Sequence, residues 1–385
     1  MPLRAPSRLL CLTAAGGLAL SLLAGCSSTP EPEAAVSVAG LDAERAAVRD
    51  QLDELYAAAV GDGETTVGVT TLNAAAFDQP DAKGFGTVVA LFEETFPEID
   101  VVAIDVSSTP LAEKIAAEER SGSRASDVAL SSIPELYQLQ QDDRLADFIP
   151  AGADDLSDQE NFRDPEGQAY EVSQGYTGLT FNTSELSAES VPTTLEELAE
   201  PEWKGRFRVL GPGQSQVQGA IALALYLEDE GVEEFDRDAF AAVAANGAVT
   251  NNQSTYAGGV ASGEYDLSLF GPAVLSFTLK AQGQPLDFID SDVTRANSVW
   301  TSVLENAPHP SAARLFAAFL LTQVAQEAIS SGTYFNPTVN GVPENPLLSG
   351  ITKPQQIPFD KVVEYTDRAA ELAPSLYPDG AQNAG

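Results

Sequence analysis

Hydroxyl and amide side chains stand where predicted strands end and predicted helices begin. Together with the backbone N–H groups of a helix N-terminus, such side chains can bind a phosphate, phosphonate, sulfate or carboxylate group. The candidate ligand-binding residues are Thr71, Asn73, Ser108, Ser131, Ser132, Tyr176, Gln214, Ser215, Gln216, Thr255, Tyr256 and Arg295. The alternative is that these serines and threonines are only helix caps and that Arg295 forms a surface ion pair.

The composition excludes several classes of protein. The 385 residues include 57 acidic and 20 basic side chains, and the net charge of −37 opposes binding to the phosphates of nucleic acids. The one histidine is His309 and the two cysteines are Cys11 and Cys26, too few for a zinc site or a Ser-His-Asp triad. No Gly-x-Ser-x-Gly elbow, P-loop or Cys-x-x-Cys motif occurs. We therefore expect no enzyme activity, no cofactor and no metal ligands.

The N-terminus has the pattern of an export signal. Arg4 and Arg8 precede an apolar stretch from Leu9 to Leu22, which is too short for a membrane-spanning helix. The following Leu23–Cys26 resembles the bacterial lipobox, which implies removal of residues 1–25 and lipid modification of Cys26, for example by palmitate. Residues 26–40 then form the lipidated cysteine and a flexible linker. An ordinary signal peptide with an incidental cysteine is the alternative.

Apolar segments and turn signals predict alternating strands and helices after residue 40. The β-α-β-α-β order of the first part implies parallel strands with right-handed crossovers, and the middle of the chain repeats it. We expect an α/β fold of two lobes with the ligand in the crevice between them. The predicted strands are 65–72, 100–106, 127–130, 176–182, 207–210 and 265–270, and the predicted helices include 41–60, 86–96, 216–227, 236–245 and 310–330.

Local signals refine the predicted helices. Ser132–Glu135 and Thr193–Glu196 have the spacing of capping boxes. The helix from Pro310 to Ser330 is predicted to be continuous and amphipathic, and to end at Gly332. His309 precedes this helix and is expected to lie in a solvated loop.

Five segments have the residue patterns of a known family: Asp164–Gly167, Gly175–Thr183, Pro201–Arg206, Val260–Asp266 and Ala312–Leu321. They resemble segments of family 1 extracellular solute-binding proteins, especially of the ferric-iron-binding and related group, and they occur in the family's order. The resemblance covers roughly Leu41 to Pro337. It implies the type II, Venus-flytrap form of the periplasmic-binding-protein fold, with lobe 1 at 41–178 and 298–345, lobe 2 at 179–297 and a C-terminal helical segment at 346–385.

The iron ligands of that group are missing from this chain. Ferric-binding members use a histidine after the first strand, a glutamate after the third and two adjacent tyrosines in the second lobe. The corresponding segments here are Thr70–Ala74, Ala129–Ile133 and Ser268–Val274, and none carries these residues. Direct binding of bare Fe³⁺ is therefore not expected, whereas an oxyanion, a phosphonate or phosphorylated compound, or chelated iron remains open.

The resemblance implies a substrate-binding lipoprotein of an ABC importer. Such a protein captures a small polar solute, passes it to a membrane permease and catalyses no reaction. We expect a monomer at the cell membrane, held by its lipid and facing the extracellular or periplasmic side. The alternative is a surface lipoprotein of the same fold that senses a ligand and signals to a receptor.

Overall fold

The computed structural model describes residues 41–71, 74, 84–106, 110–352 and 355–381, without the side chains of 253–255. All these residues lie in one compact unit. In this part of the chain, no helix has the length and apolar character needed to cross a membrane.

Helices and strands alternate along most of the described chain, as the sequence predicts. The helices are α1 (Ala46–Asp62), α2 (Gly86–Thr95), α3 (Leu111–Ser121), α4 (Ile133–Gln141), α5 (Leu195–Ala199), α6 (Ser215–Asp229), α7 (Arg237–Asn246), α8 (Gln253–Ala261), α9 (Ala273–Ala281), α10 (Pro310–Phe319), α11 (Gln323–Gly332) and α12 (Val362–Leu372). The strands are β1 (Thr66–Thr71), β2 (Asp100–Asp105), β3 (Val128–Ser131), β4 (Tyr170–Asn182), β5 (Phe207–Leu210), β6 (Ala248–Thr250), β7 (Leu267–Pro272), β8 (Leu286–Ile289) and β9 (Arg295–Val303).

Two parallel groups of strands are joined by two long antiparallel strands. The order is β2-β1-β3-β9-β4-β7-β5-β6, and β8 pairs with β4 outside this path. β1 is parallel to both β2 and β3, and β5 is parallel to both β6 and β7. β4 pairs with β9 at one end and with β7 and β8 at the other, so β4 and β9 connect the two groups.

Each group has its own hydrophobic core, as expected for a two-lobe α/β fold. The first lobe, which contains β1–β3, packs α2 and α10 around buried side chains such as Phe92 and Phe316. The second lobe, which contains β5–β7, packs α6 and α7 around Phe207 and Ile221. The lobe boundaries in residue numbers stay a prediction.

The C-terminal helix packs on the second lobe. Tyr365 and Ala369 of α12 are buried in the core that also holds Ile221 of α6. Phe359, just before α12, instead packs with Trp300 of β9 beside the first lobe. The segment around α12 therefore contacts both lobes.

The two connecting strands were the least predictable elements. β4 begins at Tyr170 rather than at Tyr176, because Glu171, Ser173 and Gln174 are buried polar residues that hide the strand pattern. The predicted return crossover near Arg295 is the nine-residue strand β9.

Three local predictions were wrong in detail. The helix predicted for 310–330 is divided into α10 and α11, because the side chain of Thr322 caps a new helix by accepting from the N–H of Ala325 at 3.2 Å. The second capping box is centred on Thr194 and Glu197, one residue later than expected. Ser132 occupies the N-cap position of α4, but its side chain makes no capping hydrogen bond.

His309 is not simply a solvated loop residue. Its backbone N–H donates to Asp127 Oδ1 at 2.7 Å, and its ring Nδ1 lies 2.9 Å from Asp127 Oδ2. Since 33% of the His309 side chain is exposed and none of Asp127, a buried carboxyl anchors a partly exposed imidazole at the start of α10.

Candidate functional site

A cavity of about 410 Å³ lies between the two lobes. The start of α4 borders it on the first lobe and the start of α6 on the second. Residues 295–298 of β9 and residues 355–357 before α12 complete the wall. We call this cavity the cleft. Its volume is in the range of small-molecule sites.

Both bordering helices point their N-termini at the cleft because each follows the end of a parallel strand. α4 follows β3, and α6 follows β5 after a short turn. Ser132 and Ile133 line the cleft from α4, and Ser215 and Gln216 line it from α6. The first turn of a helix has N–H groups without partners inside the helix, and the helix dipole adds partial positive charge there. Both sides of the cleft therefore favour a negative ligand.

Arg295, the first residue of β9, supplies a full positive charge at the cleft. Its Nε donates to the carbonyl of Gln216 at 3.2 Å, and its Nη1 donates to that of Ala296 at 3.1 Å. A third, longer contact runs from Nη2 to the carbonyl of Ser215 at 3.5 Å. Gly219 makes room for this side chain, because a Cβ there would lie 2.6 Å from the guanidinium carbon.

The charge of Arg295 is not neutralised by a neighbouring acid. Among the described residues, no carboxylate forms an ion pair with it, and its recorded acceptors are backbone carbonyls. Burial lowers the pKa of Arg295 to about 10, which still leaves it charged at neutral pH. A guanidinium has five N–H donors, so donors remain for a ligand oxygen.

A buried carboxyl lies behind the floor of the cleft. Glu171 of β4 has no exposed surface, and neither of its side-chain oxygens has a hydrogen-bond partner within 3.5 Å. It pairs in the sheet with Trp300, and the nearby Ser298 lines the cleft. Burial raises the pKa of Glu171 to about 8, although the polar side chains of Ser298, Gln356 and Gln174 act to lower it.

The described residues contain no cluster of metal-ligating side chains. No group of three or more His, Cys, Asp or Glu residues there could hold a metal ion. The segment Ser268–Val274, which the resemblance sets against the double tyrosine of ferric-binding proteins, covers most of β7 and the start of α9 and contains no tyrosine.

A sequence profile of a bacterial extracellular solute-binding protein family matches residues 127–358. This match covers more than half of the chain. The chain belongs to this family. It is therefore a solute-binding protein of the extracellular or periplasmic space rather than an enzyme.

Individual relatives of known type are distant. Iron uptake protein A1 of Synechocystis is 24% identical over 237 residues, which cover 57% of this chain and 61% of that protein. The chain thus spans about three-fifths of the length of that curated relative.

Solved structures confirm the type II two-lobe fold. Iron-bound HitA from Pseudomonas aeruginosa has a TM-score of 0.66 and 21% identity, over 81% of this chain and 99% of that chain. AfuA from Actinobacillus pleuropneumoniae, with fructose-6-phosphate bound, has a TM-score of 0.60 and 20% identity, over 80% and 96%. Iron and a sugar phosphate are thus ligands of proteins with this fold.

Four of the residues proposed from the sequence meet at the cleft of this family member. Ser132, Ser215, Gln216 and Arg295 all line it. They come from a helix of each lobe and from a connecting strand, so only the folded chain brings them together. Whether they bind ligand stays a prediction.

Other proposed residues lie away from the lining. Ser131 is buried at the end of β3, and its hydroxyl donates to Glu135. Thr71 is buried at the end of β1. Gln214 is the N-cap residue of α6, directly before the lining residue Ser215.

The two proposed tyrosines are packed inside the protein. The hydroxyl of Tyr176 donates to Gln174 at 3.1 Å and accepts from Asn336 at 3.2 Å. Tyr256 is buried in the core of the second lobe, and burial raises its pKa. Both positions are structural in this conformation. Asn73, Ser108, Cys26 and the side chain of Thr255 lie outside the described residues.

Sequence reasoning missed part of the cleft wall. Asn297 and Ser298 of β9 and the pair Gln355 and Gln356 also line the cavity. Polar side chains in 295–298 are followed by apolar ones later in the same strand. This change along the strand could have indicated that its first residues line a binding site. Glu171 gave no such signal, because a buried acid is indistinguishable in sequence from the many surface acids.

Proposed function

We propose that this chain is the lipid-anchored substrate-binding component of an ABC importer and that its cleft captures a small anionic solute. The observation that carries the proposal is the charge of Arg295 at the cleft, which no carboxylate of the described residues neutralises. The candidate solutes are an oxyanion, a phosphonate or phosphorylated compound, or an iron chelate.

The charge distribution supports an anion rather than a cation. Acidic residues make up 57 of the 385 residues, yet none of the described residues that line the cleft is acidic. The positive charge of Arg295 therefore has no opposite charge in this lining and can interact with an anion. A polyamine would lack a counter-charge there.

The donor set favours an oxyanion or a chelate over bare iron. The cleft offers a guanidinium, hydroxyls, amides and two helix N-termini, all of which can donate hydrogen bonds to oxygen. Bare Fe³⁺ needs anionic oxygen ligands, and the described residues hold no suitable cluster. HitA with bound iron and AfuA with bound fructose-6-phosphate have the same fold, so both an iron chelate and a phosphorylated compound are kept as candidate solutes.

The anchor and the partner complete the proposal. Leu23–Cys26 supports a lipid on Cys26, which would tether the binding protein beside its permease. Family membership supports delivery of the solute to an ABC permease. Mass spectrometry of the membrane-bound protein should find a diacylglyceryl group on Cys26, and Cys26→Ser should release the protein from the membrane.

A ligand panel tests the proposed class of solute. Residues 27–385 are unfolded thermally at pH 7 with sulfate, citrate, ferric citrate, 2-aminoethylphosphonate, fructose 6-phosphate or spermidine. At a concentration 100 times its Kd, a true ligand stabilises the folded state by about 2.7 kcal/mol. We expect stabilisation by at least one anion and none by spermidine. A response to spermidine alone would contradict the proposal.

A further inference from the structure

Two polar groups on neighbouring strands are buried at the floor of the cleft without hydrogen-bond partners. They are the carboxyl group of Glu171 on β4 and the hydroxyl of Ser298 on β9. Most buried polar atoms in proteins are hydrogen-bonded, and an isolated buried carboxyl is costly. Such a group in a native fold calls for a functional explanation.

The position of Glu171 links it to the solute site. Ser298 and Gln356 both line the cleft, and both face the Glu171 carboxyl closely enough to affect its pKa. Trp300 lies directly opposite Glu171 in the β4–β9 pair and is buried in a hydrophobic cluster with residues of β3 and α4. The carboxyl is therefore one side chain away from the cavity.

We propose that Glu171 is a positioning residue that sets the specificity of the cleft: it orients Ser298 and Gln356 toward a bound anion and holds a proton while the anion is bound. This inference rests on the proposed function. A protonated carboxyl can donate its O–H to the hydroxyl of Ser298 or to the amide oxygen of Gln356. Those side chains can then turn their own O–H and N–H groups toward the solute.

The charge state of Glu171 agrees with this role. Burial raises its pKa to about 8, so most of the protein carries the neutral acid at pH 7. An ionised Glu171 would place a negative charge beneath a negative solute. At the effective dielectric constant of a protein near its surface, such a charge weakens anion binding, and we expect an effect on the order of tenfold.

Other charged or titratable groups lie near Glu171, and their contribution to the pH dependence must be the same in all the proteins compared. Asp158 acts on Glu171 directly and Tyr176 lies on the same strand. Further titratable or charged groups on neighbouring elements include Tyr170 of β4, Glu135 and Tyr137 of α4, Glu327 of α11, Asp360 before α12 and Arg295 of β9. Glu171→Gln leaves all of them in place, so their contributions appear in both proteins.

The test is calorimetric titration at pH 7 and pH 9 of wild-type protein, Glu171→Gln and a control variant. Sulfate, citrate and fructose 6-phosphate are the probes, since a phosphate monoester with a second pKa near 6 is already a dianion above pH 7. The control is Glu160→Gln, which removes the same charge from an exposed position before β4. The measured quantity is the ratio of Kd at pH 9 to Kd at pH 7.

For wild type and Glu160→Gln we expect this ratio to be about five, and for Glu171→Gln close to one. Equal ratios in all three proteins would overturn the role of Glu171 and leave the proposed anion site intact. If none of the probes binds wild type at pH 7, the anion site itself fails, and this inference fails with it.

A measurement without ligand covers the case in which Glu171→Gln does not fold. Carbon-13 NMR of the glutamate carboxyl groups in wild-type protein should show one that titrates near pH 8. A Glu171 signal that titrates near pH 4 would overturn the inference.

Discussion

The two fully buried carboxyl groups of Asp127 and Glu171 have opposite surroundings. Asp127, before β3, accepts from the N–H of Gly68 at 2.7 Å and from the N–H of His309 at 2.7 Å, and contacts the His309 ring at 2.9 Å. Glu171, on the connecting strand β4, has no partner for either oxygen. Burial raises the pKa of both, but donors oppose the shift much more directly at Asp127.

The difference in hydrogen bonding points to a structural role for Asp127 and to a functional role for Glu171. Asp127 joins β1, β3 and the start of α10, so it holds three elements of the first lobe together. Glu171 has no hydrogen bond within 3.5 Å that ties its strand to another element, and its burial is unfavourable for the ionised form. A buried carboxyl group can thus stabilise the fold, as Asp127 does, or act as a positioning residue beside a binding site, as we propose for Glu171.

Removing Asp127 should give the largest effect. Asp127→Ala leaves the N–H groups of Gly68 and His309 buried without acceptors, and we expect the free energy of unfolding to fall by about 3–5 kcal/mol. Urea unfolding measures this, with Asp154→Ala as the control, because Asp154 is 78% exposed. A loss as small as that of the control would show that Asp127 is not a clamp.

Replacing Glu171 should instead stabilise the protein in a pH-dependent way. The folded state keeps a proton up to about pH 8, whereas an unfolded glutamate releases it near pH 4.5. The free energy of unfolding of wild type should therefore fall by about 2–3 kcal/mol between pH 5 and pH 7 relative to Glu171→Gln. Urea unfolding at both pH values tests this difference. Parallel pH profiles would mean that Glu171 titrates normally.

The N-cap residues of α4 and α5 allow the same comparison between a structural and a functional side chain, with smaller expected effects on stability. Thr194→Ala removes a capping box on α5 and should cost about 1 kcal/mol of stability. Ser132→Ala should cost less than about 0.5 kcal/mol, because this hydroxyl makes no capping bond and faces the cleft. Thermal unfolding of both variants measures the difference. An equal loss would show that Ser132 is a structural cap.

The sequence was sufficient for the layers of the fold but not for the connection between the lobes. The parallel strands have apolar runs between turn signals, so β1, β2, β3, β5 and β7 were found within about two residues of their ends. β4 and β9 cross from lobe to lobe and bury polar side chains, which breaks the pattern on which such predictions depend. The apolar pattern predicted the helical stretch that contains α10 and α11, but not the cap at Thr322 that separates them.

The sequence predicted the types of side chain at the candidate site better than it predicted which residues line the cleft. Hydroxyls and amides at helix starts suggested Ser132, Ser215 and Gln216, and the structure places all three in the cleft lining, because a helix that follows a parallel strand begins at the crevice. The same rule also selected Ser131 and Tyr256, whose side chains turn inward. Ser131 is the last residue of β3, where one residue along the strand reverses the face of a side chain. Tyr256 lies within α8, where the packing of the helix decides which side chains are buried.

The most direct test of the anion site is calorimetric titration at pH 7 of wild type and Arg295→Gln with citrate and fructose 6-phosphate. The control is Arg206→Gln, in which the lost guanidinium pairs with Asp266 on the surface of the second lobe. We predict that Arg295→Gln weakens binding by about 10- to 100-fold, as expected for the loss of a charged hydrogen-bond donor, and that Arg206→Gln leaves it unchanged. Equal affinities of wild type and Arg295→Gln would contradict the account.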